Sequence, residues 1–254
     1  MKKTIVWGLL LLCSDPFFAQ EKRKLVNLGK NVNSAYAEIQ PYIVADGSKL
    51  FFTRDNHPEN TLHPQETQDI WYCKLGPDSQ WTAARHLGKP FNRTTKNALF
   101  YQSVDGNTRI IRGIFKNGEY ARSGYSVCRM TAEGWGDPEA LSIKRYEKMS
   151  QGKYAGICIS PDNKNMILYM NEDEKKDISD LYVSHQENNT NWSQPDKLPF
   201  CTNLYSESTP FVAADGMTLY FSSDRPGGYG SSDIWMTRRL DDTWLKWSEP
   251  VNLG

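Results

Sequence analysis

Apolar residues in this chain fall in short runs rich in β-branched and aromatic side chains, with no stretch of sustained helical spacing. Leu50-Phe51-Phe52 and Leu219-Tyr220-Phe221 are two such runs, and each follows an Asp-Gly pair closely. Four pairs of this kind occur: Asp46-Gly47, Asp105-Gly106, Asp162-Asn163 and Asp215-Gly216. A strand, a two-residue turn whose members both tolerate positive φ, and a second strand are predicted at each. A third strand follows, marked by Asp-Ile-Trp or a variant, and then a fourth that opens on tryptophan. This layout repeats over 36–88, 96–141, 153–198 and 206–254. The turn aspartates lie 59, 57 and 53 residues apart, and Trp81, Trp135, Trp192 and Trp247 lie 54, 57 and 55 apart.

Repeated four-stranded units with an Asp-aromatic signature are the pattern of propeller blades. The expected fold is therefore all-β, a small four-bladed β-propeller ring. The matching residues are Ser160-Pro161-Asp162, Ala214-Asp215-Gly216 with Leu219-Tyr220-Phe221, Asp69-Ile70-Trp71, Asp180-Leu181-Tyr182 and Asp233-Ile234-Trp235. Through them the chain resembles the WD40-like repeats of bacterial envelope propellers, the PD40 or TolB-like class. The second unit departs, with Gly124-Tyr125 where Asp-aromatic is expected, so its blade should be the least regular. Val26-Asn27-Leu28-Gly29 recurs as Val251-Asn252-Leu253-Gly254, which gives one more outer strand than four blades need. Ring closure turns on which copy fills the slot, because an open sheet edge invites pairing with another chain.

The N-terminus carries Lys2 and Lys3 ahead of an apolar run from Thr4 to Cys13, which is the size of a signal-peptide core and too short to span a bilayer. The expected division is a signal peptide over 1–19 and one propeller domain over 20–254, placing the protein in the periplasm or outside the cell. A lipidated Cys13 is the alternative fate of this segment. Removing Lys2, Lys3 and Asp15 from 30 basic and 30 acidic residues leaves 28 and 29, a net charge of −1. That balance excludes a protein that grips nucleic acid by its overall field. Cys73, Cys128, Cys158 and Cys201 form no close pair, so neither a zinc motif nor a redox motif is indicated.

Repeated residues are read as scaffold: Asp69, Asp180 and Asp233 bond the backbone, and Asn33, Asn92 and Asn203 cap turns. Function is sought where the repeats differ. The loops 55–67, 116–122, 171–178 and 224–231 between second and third strands are long and individual, and they share a face with 88–96, 143–152 and 199–206. That elaborated face is the expected binding surface. Arg225, Tyr229, Phe91 and Phe200 are its candidate anchors. His57 and His63 sit among carboxylates in the first loop, but their spacing and the following prolines favour a rigid solvated loop over a metal site. Glu38, Asn97, Tyr154 and Glu207 each precede a turn aspartate by eight residues and should ring the channel mouth. Were Glu38 and Glu207 to converge there, they would form a Ca²⁺ site or a glycosidase acid–base pair. No other cofactor is expected. With no nucleophile elbow, P-loop or H-E-x-x-H present, the reading favours a non-catalytic module binding an envelope protein or peptide. The alternative is a propeller that binds or hydrolyses polysaccharide.

Overall fold

A computed structural model describes residues 26–62 and 65–254; the expected signal peptide, Cys13 and His63 lie outside the described residues. Four antiparallel sheets are arranged in a ring as a four-bladed β-propeller. The first blade comprises β1 (Glu38–Ile43), β2 (Lys49–Asp55), β3 (Gln68–Lys74) and β4 (Arg85–His86). The second comprises β5 (Leu99–Gln102), β6 (Thr108–Lys116) and β7 (Glu119–Thr131), with β8 (Gly134–Trp135) and β9 (Glu139–Ala140) both paired to β7. After β10 (Ser142–Ile143) and a single helical turn, α1 (Tyr146–Met149), the third blade has β11 (Ala155–Ile159), β12 (Asn165–Met170) and β13 (Asp180–His185). It ends with β14 (Asn191–Trp192), which pairs in parallel with β10, and β15 (Asp196–Lys197) on β13. The fourth blade is β16 (Glu207–Val212), β17 (Thr218–Ser223), β18 (Asp233–Arg238) and β19 (Val251–Asn252). The first strands β1, β5, β11 and β16 lie against one another in succession, so they are innermost.

The hairpin turns are built differently from the two-residue form expected. The N–H of Gly47, Gly106, Asn163 and Gly216 bonds the carbonyl three residues earlier, at 2.8 to 2.9 Å. Only this residue has positive φ, at 71°, 76°, 62° and 66° respectively. The turn aspartate stays in ordinary conformation, and its carboxylate accepts the backbone N–H two residues on, as Asp215 does from Met217 at 2.8 Å. These are local Asx turns. The predicted loop 116–122 is another correction: β6 and β7 run on through it, and the hairpin turns only at Asn117-Gly118. Continuous pairing of Lys116 with Glu119 and Phe115 with Tyr120 extends this blade beyond its sisters.

Period-two alternation sends each blade's side chains into two seams. Phe51, Ile70, Phe91, Ile111 and Cys128 fill the seam between first and second blades. Ile110, Val127, Met166, Leu168 and Trp192 fill the next, and Ile167, Leu181, Leu219, Phe221 and Trp235 fill the third. The outer face of the first blade is covered by Val32 from its preceding segment, packed on Leu50, Phe52 and Trp71. The opposite face of the fourth blade leaves Phe211 55 %, Ile234 56 % and Val251 55 % exposed. Among the described residues no buried cluster covers it. Of the duplicated Val-Asn-Leu-Gly segments, the C-terminal copy supplies the outer strand of the fourth blade, with Val251 opposite Met236 and Asn252 opposite Trp235.

Candidate functional site

The irregular second blade opens a cleft of about 810 Å³ against the third. Its walls come from the 94–96 turn, from Arg112 on β6, from the 120–125 stretch of β7, and from α1 with residues 150–155. All of these lie on the elaborated face. Gly124 explains the opening. It holds φ at 136°, and a Cβ there would stand 2.8 Å from the Ile114 side chain, so the usual strand aspartate cannot be placed. With that carboxylate gone, Lys96, Arg112, Arg122 and Lys153 line the cleft against Glu147 alone, a formal excess of three positive charges. Arg122 bonds Glu147 at 2.5 Å and Lys153 bonds Asp177 at 3.0 Å, both at exposed positions where water competes. At the base, Tyr146 Oη donates to Tyr125 Oη at 3.3 Å, and burial drives the Tyr125 phenol well above its ordinary pKa. The Tyr125 phenol is therefore neutral. Tyr120, half-exposed on the rim, adds an aromatic surface. A second hollow of about 530 Å³ shares Thr95 and Lys96 with the first and is lined by Asp55 and Glu66.

Of the residues expected at the channel mouth, Glu38 and Glu207 are occupied within their own blades and Asn97 bonds across to the first blade. Glu38 Oε1 accepts from Arg54 Nε at 3.0 Å and from Ser34 Oγ at 2.6 Å. Glu207 Oε1 accepts from Arg225 at 2.8 Å and from Ser223 at 3.2 Å. The two glutamates thus repeat one motif: a first-strand carboxylate bound to an arginine that lies over aromatic rings. Arg54 sits over Phe52 and Trp71, and Arg225 over Phe200, Phe221 and Trp235. Asn97 is saturated, donating to Asp69 Oδ1 at 2.7 Å and accepting the Arg93 and Thr94 N–H groups. Tyr154 lies beside the cleft, under the Lys153 ammonium at 4.9 Å from its ring centre.

The anchor candidates divide. Tyr229 is 86 % exposed, whereas Phe91 is 2 % exposed in the first seam and Phe200 stacks on Phe221. His57 packs between Tyr36 and Trp71, with ring centres at 4.9 and 4.6 Å. Burial and the Arg54 charge hold its pKa below the ordinary value. Asp69 is held as scaffold by its bonds. Burial pushes its pKa up, but bonds from His86, Thr61 and Asn97 outweigh this and leave it below the usual range. The cleft cations were missed because no motif joins them. Their one signal is the Gly124-Tyr125 departure, which reads as irregularity until the lost carboxylate is weighed against Arg112 and Arg122.

No protein-family model and no curated protein matches the chain. Solved structures do. TolB from Acinetobacter baumannii is 13 % identical, aligned over 82 % of this chain and 42 % of its own, with a TM-score of 0.49. A protein of unknown function from Dyadobacter fermentans is 13 % identical over 87 % of this chain and 70 % of its own, at 0.54. A glycoside hydrolase is 10 % identical over 87 % of this chain and 76 % of its own, also at 0.54. Such identities show the fold alone, and the last two carry it: a β-propeller, as the repeated motifs imply. The chain spans less than half the length of the TolB chain it matches.

Proposed function

We propose that the protein is a non-catalytic β-propeller of the bacterial cell envelope, periplasmic or secreted, that binds an acidic segment of a partner protein in the cleft between its second and third blades. The observation that carries this reading is the local excess of positive charge in a chain of zero net charge. The Lys2-Lys3 start and the apolar run behind it support export, and no helix among the described residues is long and apolar enough to cross a membrane. Exposed cations attract an acidic ligand over about 8–10 Å at physiological salt, so association should weaken as salt rises.

The test titrates the protein with a fluorescent oligoglutamate peptide. An Arg122→Glu, Lys153→Glu double variant should bind at least tenfold more weakly, about 1.4 kcal/mol, while Tyr229→Ala binds as the wild type does. Equal binding by the double variant would remove the cleft from the function. A second reading, recognition of an acidic polysaccharide, is favoured by the rings of Tyr120 and Tyr154 beside the cations, since such rings stack on sugars. Tighter binding of an oligogalacturonate than of the peptide would replace the protein partner with a glycan.

A further inference from the structure

The blade-to-blade seams repeat one polar device, and comparing two copies shows what one lacks. At the first seam Asp69, Asn92 and Asn97 form a closed set. Asn97 Nδ2 donates to Asp69 Oδ1 at 2.7 Å, and Asn92 accepts the Ile70 N–H at 2.8 Å and returns a bond to its carbonyl at 3.1 Å. His86 Nε2 completes Asp69 Oδ2 at 2.7 Å. At the third seam the corresponding residues are Asp180, Cys201, Glu207 and Lys197. The Leu181 N–H now meets Cys201 Sγ at 3.4 Å, and Lys197 Nζ meets Asp180 Oδ2 at 2.9 Å. Asn203, at the offset of Asn92, gives Asp180 Oδ1 its backbone N–H at 3.2 Å while its side-chain oxygen accepts from Lys197. The Glu207 carboxylate stands where the Asn97 amide faced the aspartate, and the Cys201 thiol where Asn92 met the backbone.

The ligand atoms of Asp180, Cys201 and Glu207 lie within 4.8 Å of one another, and all three residues are buried. Glu207 is 0 % exposed. Its Oε1 is held by Arg225 and Ser223, but Oε2 has no hydrogen-bond partner. A buried carboxylate oxygen left unmatched costs free energy that something must offset. We infer that Asp180, Cys201 and Glu207 form a binding site for a thiophilic divalent cation of the Zn²⁺ class, which pins the third blade to the fourth. Two carboxylates with one sulfur suit Zn²⁺ better than Ca²⁺ or Mg²⁺, which take oxygen alone. Zinc bonds of about 2.0–2.3 Å place tetrahedral ligand atoms roughly 3.3–3.8 Å apart, so the cluster closes by about 1 Å on binding. Water takes the fourth position. Lys197 and Arg225 each hold one carboxylate from outside and orient it, as the neighbours of metal ligands do. Binding exchanges the thiol proton of Cys201 for a sulfur–zinc bond and releases that proton, so affinity rises with pH.

The chain is stripped with chelator and titrated with Zn²⁺ against a chromophoric competitor, then with Co²⁺. The wild type should take up one Zn²⁺ per chain and show a thiolate-to-cobalt charge-transfer band. Glu207→Gln and Cys201→Ser should each weaken Zn²⁺ at least tenfold, and Cys201→Ser should abolish the band. Cys73→Ser, which removes a buried thiol elsewhere, should change neither. Failure of the wild type to bind, or equal binding by Glu207→Gln and Cys201→Ser, overturns the site. Thermal melting of each variant without metal confirms that the comparison is made on folded protein.

Discussion

Two buried carboxylates, Asp69 and Glu207, have pKa values displaced in opposite directions. Asp69 is fully buried and accepts from His86, from Asn97, and from both the N–H and the hydroxyl of Thr61. Replacing it with alanine strands these donors, so Asp69→Ala should lower stability by about 2–4 kcal/mol in a denaturant titration. Its folded pKa is depressed. The contribution is therefore present above the unfolded value near 3.9 and lost as the pH falls through the folded value. Glu207 behaves in reverse. Burial raises its pKa against the opposing pull of Arg225. Its contribution is full below the unfolded value and fades as the pH rises through the folded one. In chelator, Glu207→Gln should flatten the fall in stability that the wild type shows as the pH rises above the unfolded value. A slope unchanged by the substitution would show that another group titrates there. The sequence made these roles only partly legible. The offset that aligns Glu207 with Asn97 is plain, but an offset cannot say that Asn97 faces Asp69 and that Glu207 therefore faces Asp180. Nor can an offset show that Arg54 and Arg225 bond Glu38 and Glu207 from within their own blades.

Strands were legible because they are short runs of β-branched and aromatic residues, and turns because Asp-Gly and Asp-Asn supply a residue at positive φ. The detailed turn was not, since the same dipeptides serve a tight hairpin and an Asx turn alike. Loop 116–122 failed for a different reason. Lys116 to Arg122 is polar and carries Asn117-Gly118, so it reads as a loop, yet its backbone pairs regardless of side-chain polarity once β6 and β7 are in register. Gly124 is the hinge of that register. A methyl group there would meet Ile114 at 2.8 Å on a backbone that only glycine adopts freely. Gly124→Ala should cost about 1–3 kcal/mol and distort the cleft wall. Thermal melting together with peptide binding measures both effects, and a variant as stable as the wild type would show that the strand can relax.

The propeller is asymmetric at the level of the whole ring. The fourth blade presents buried Phe221 to the third seam and exposed Phe211 and Ile234 on its other side. Phe221→Ala should therefore cost about 3–5 kcal/mol, while Phe211→Ser and Ile234→Ser should each stay within about 0.5 kcal/mol in the same melting assay. A large loss from the exposed pair would mean that this face is covered in solution. Charge is uneven as well: a chain of zero net charge concentrates cations beside the second blade. Composition hides that, because a sum over the chain carries no positions. The two blades that line the cleft are also stitched together. Parallel β10 and β14 exchange bonds from Ser142 N–H to the Thr190 carbonyl at 2.8 Å and from Lys144 N–H to the Trp192 carbonyl at 3.1 Å. A ligand seated there cannot prise the walls apart by rotating one sheet against the other. If the cleft binds a ligand as proposed, these bonds resist its opening, and tight binders should be those already rigid in the shape it accepts.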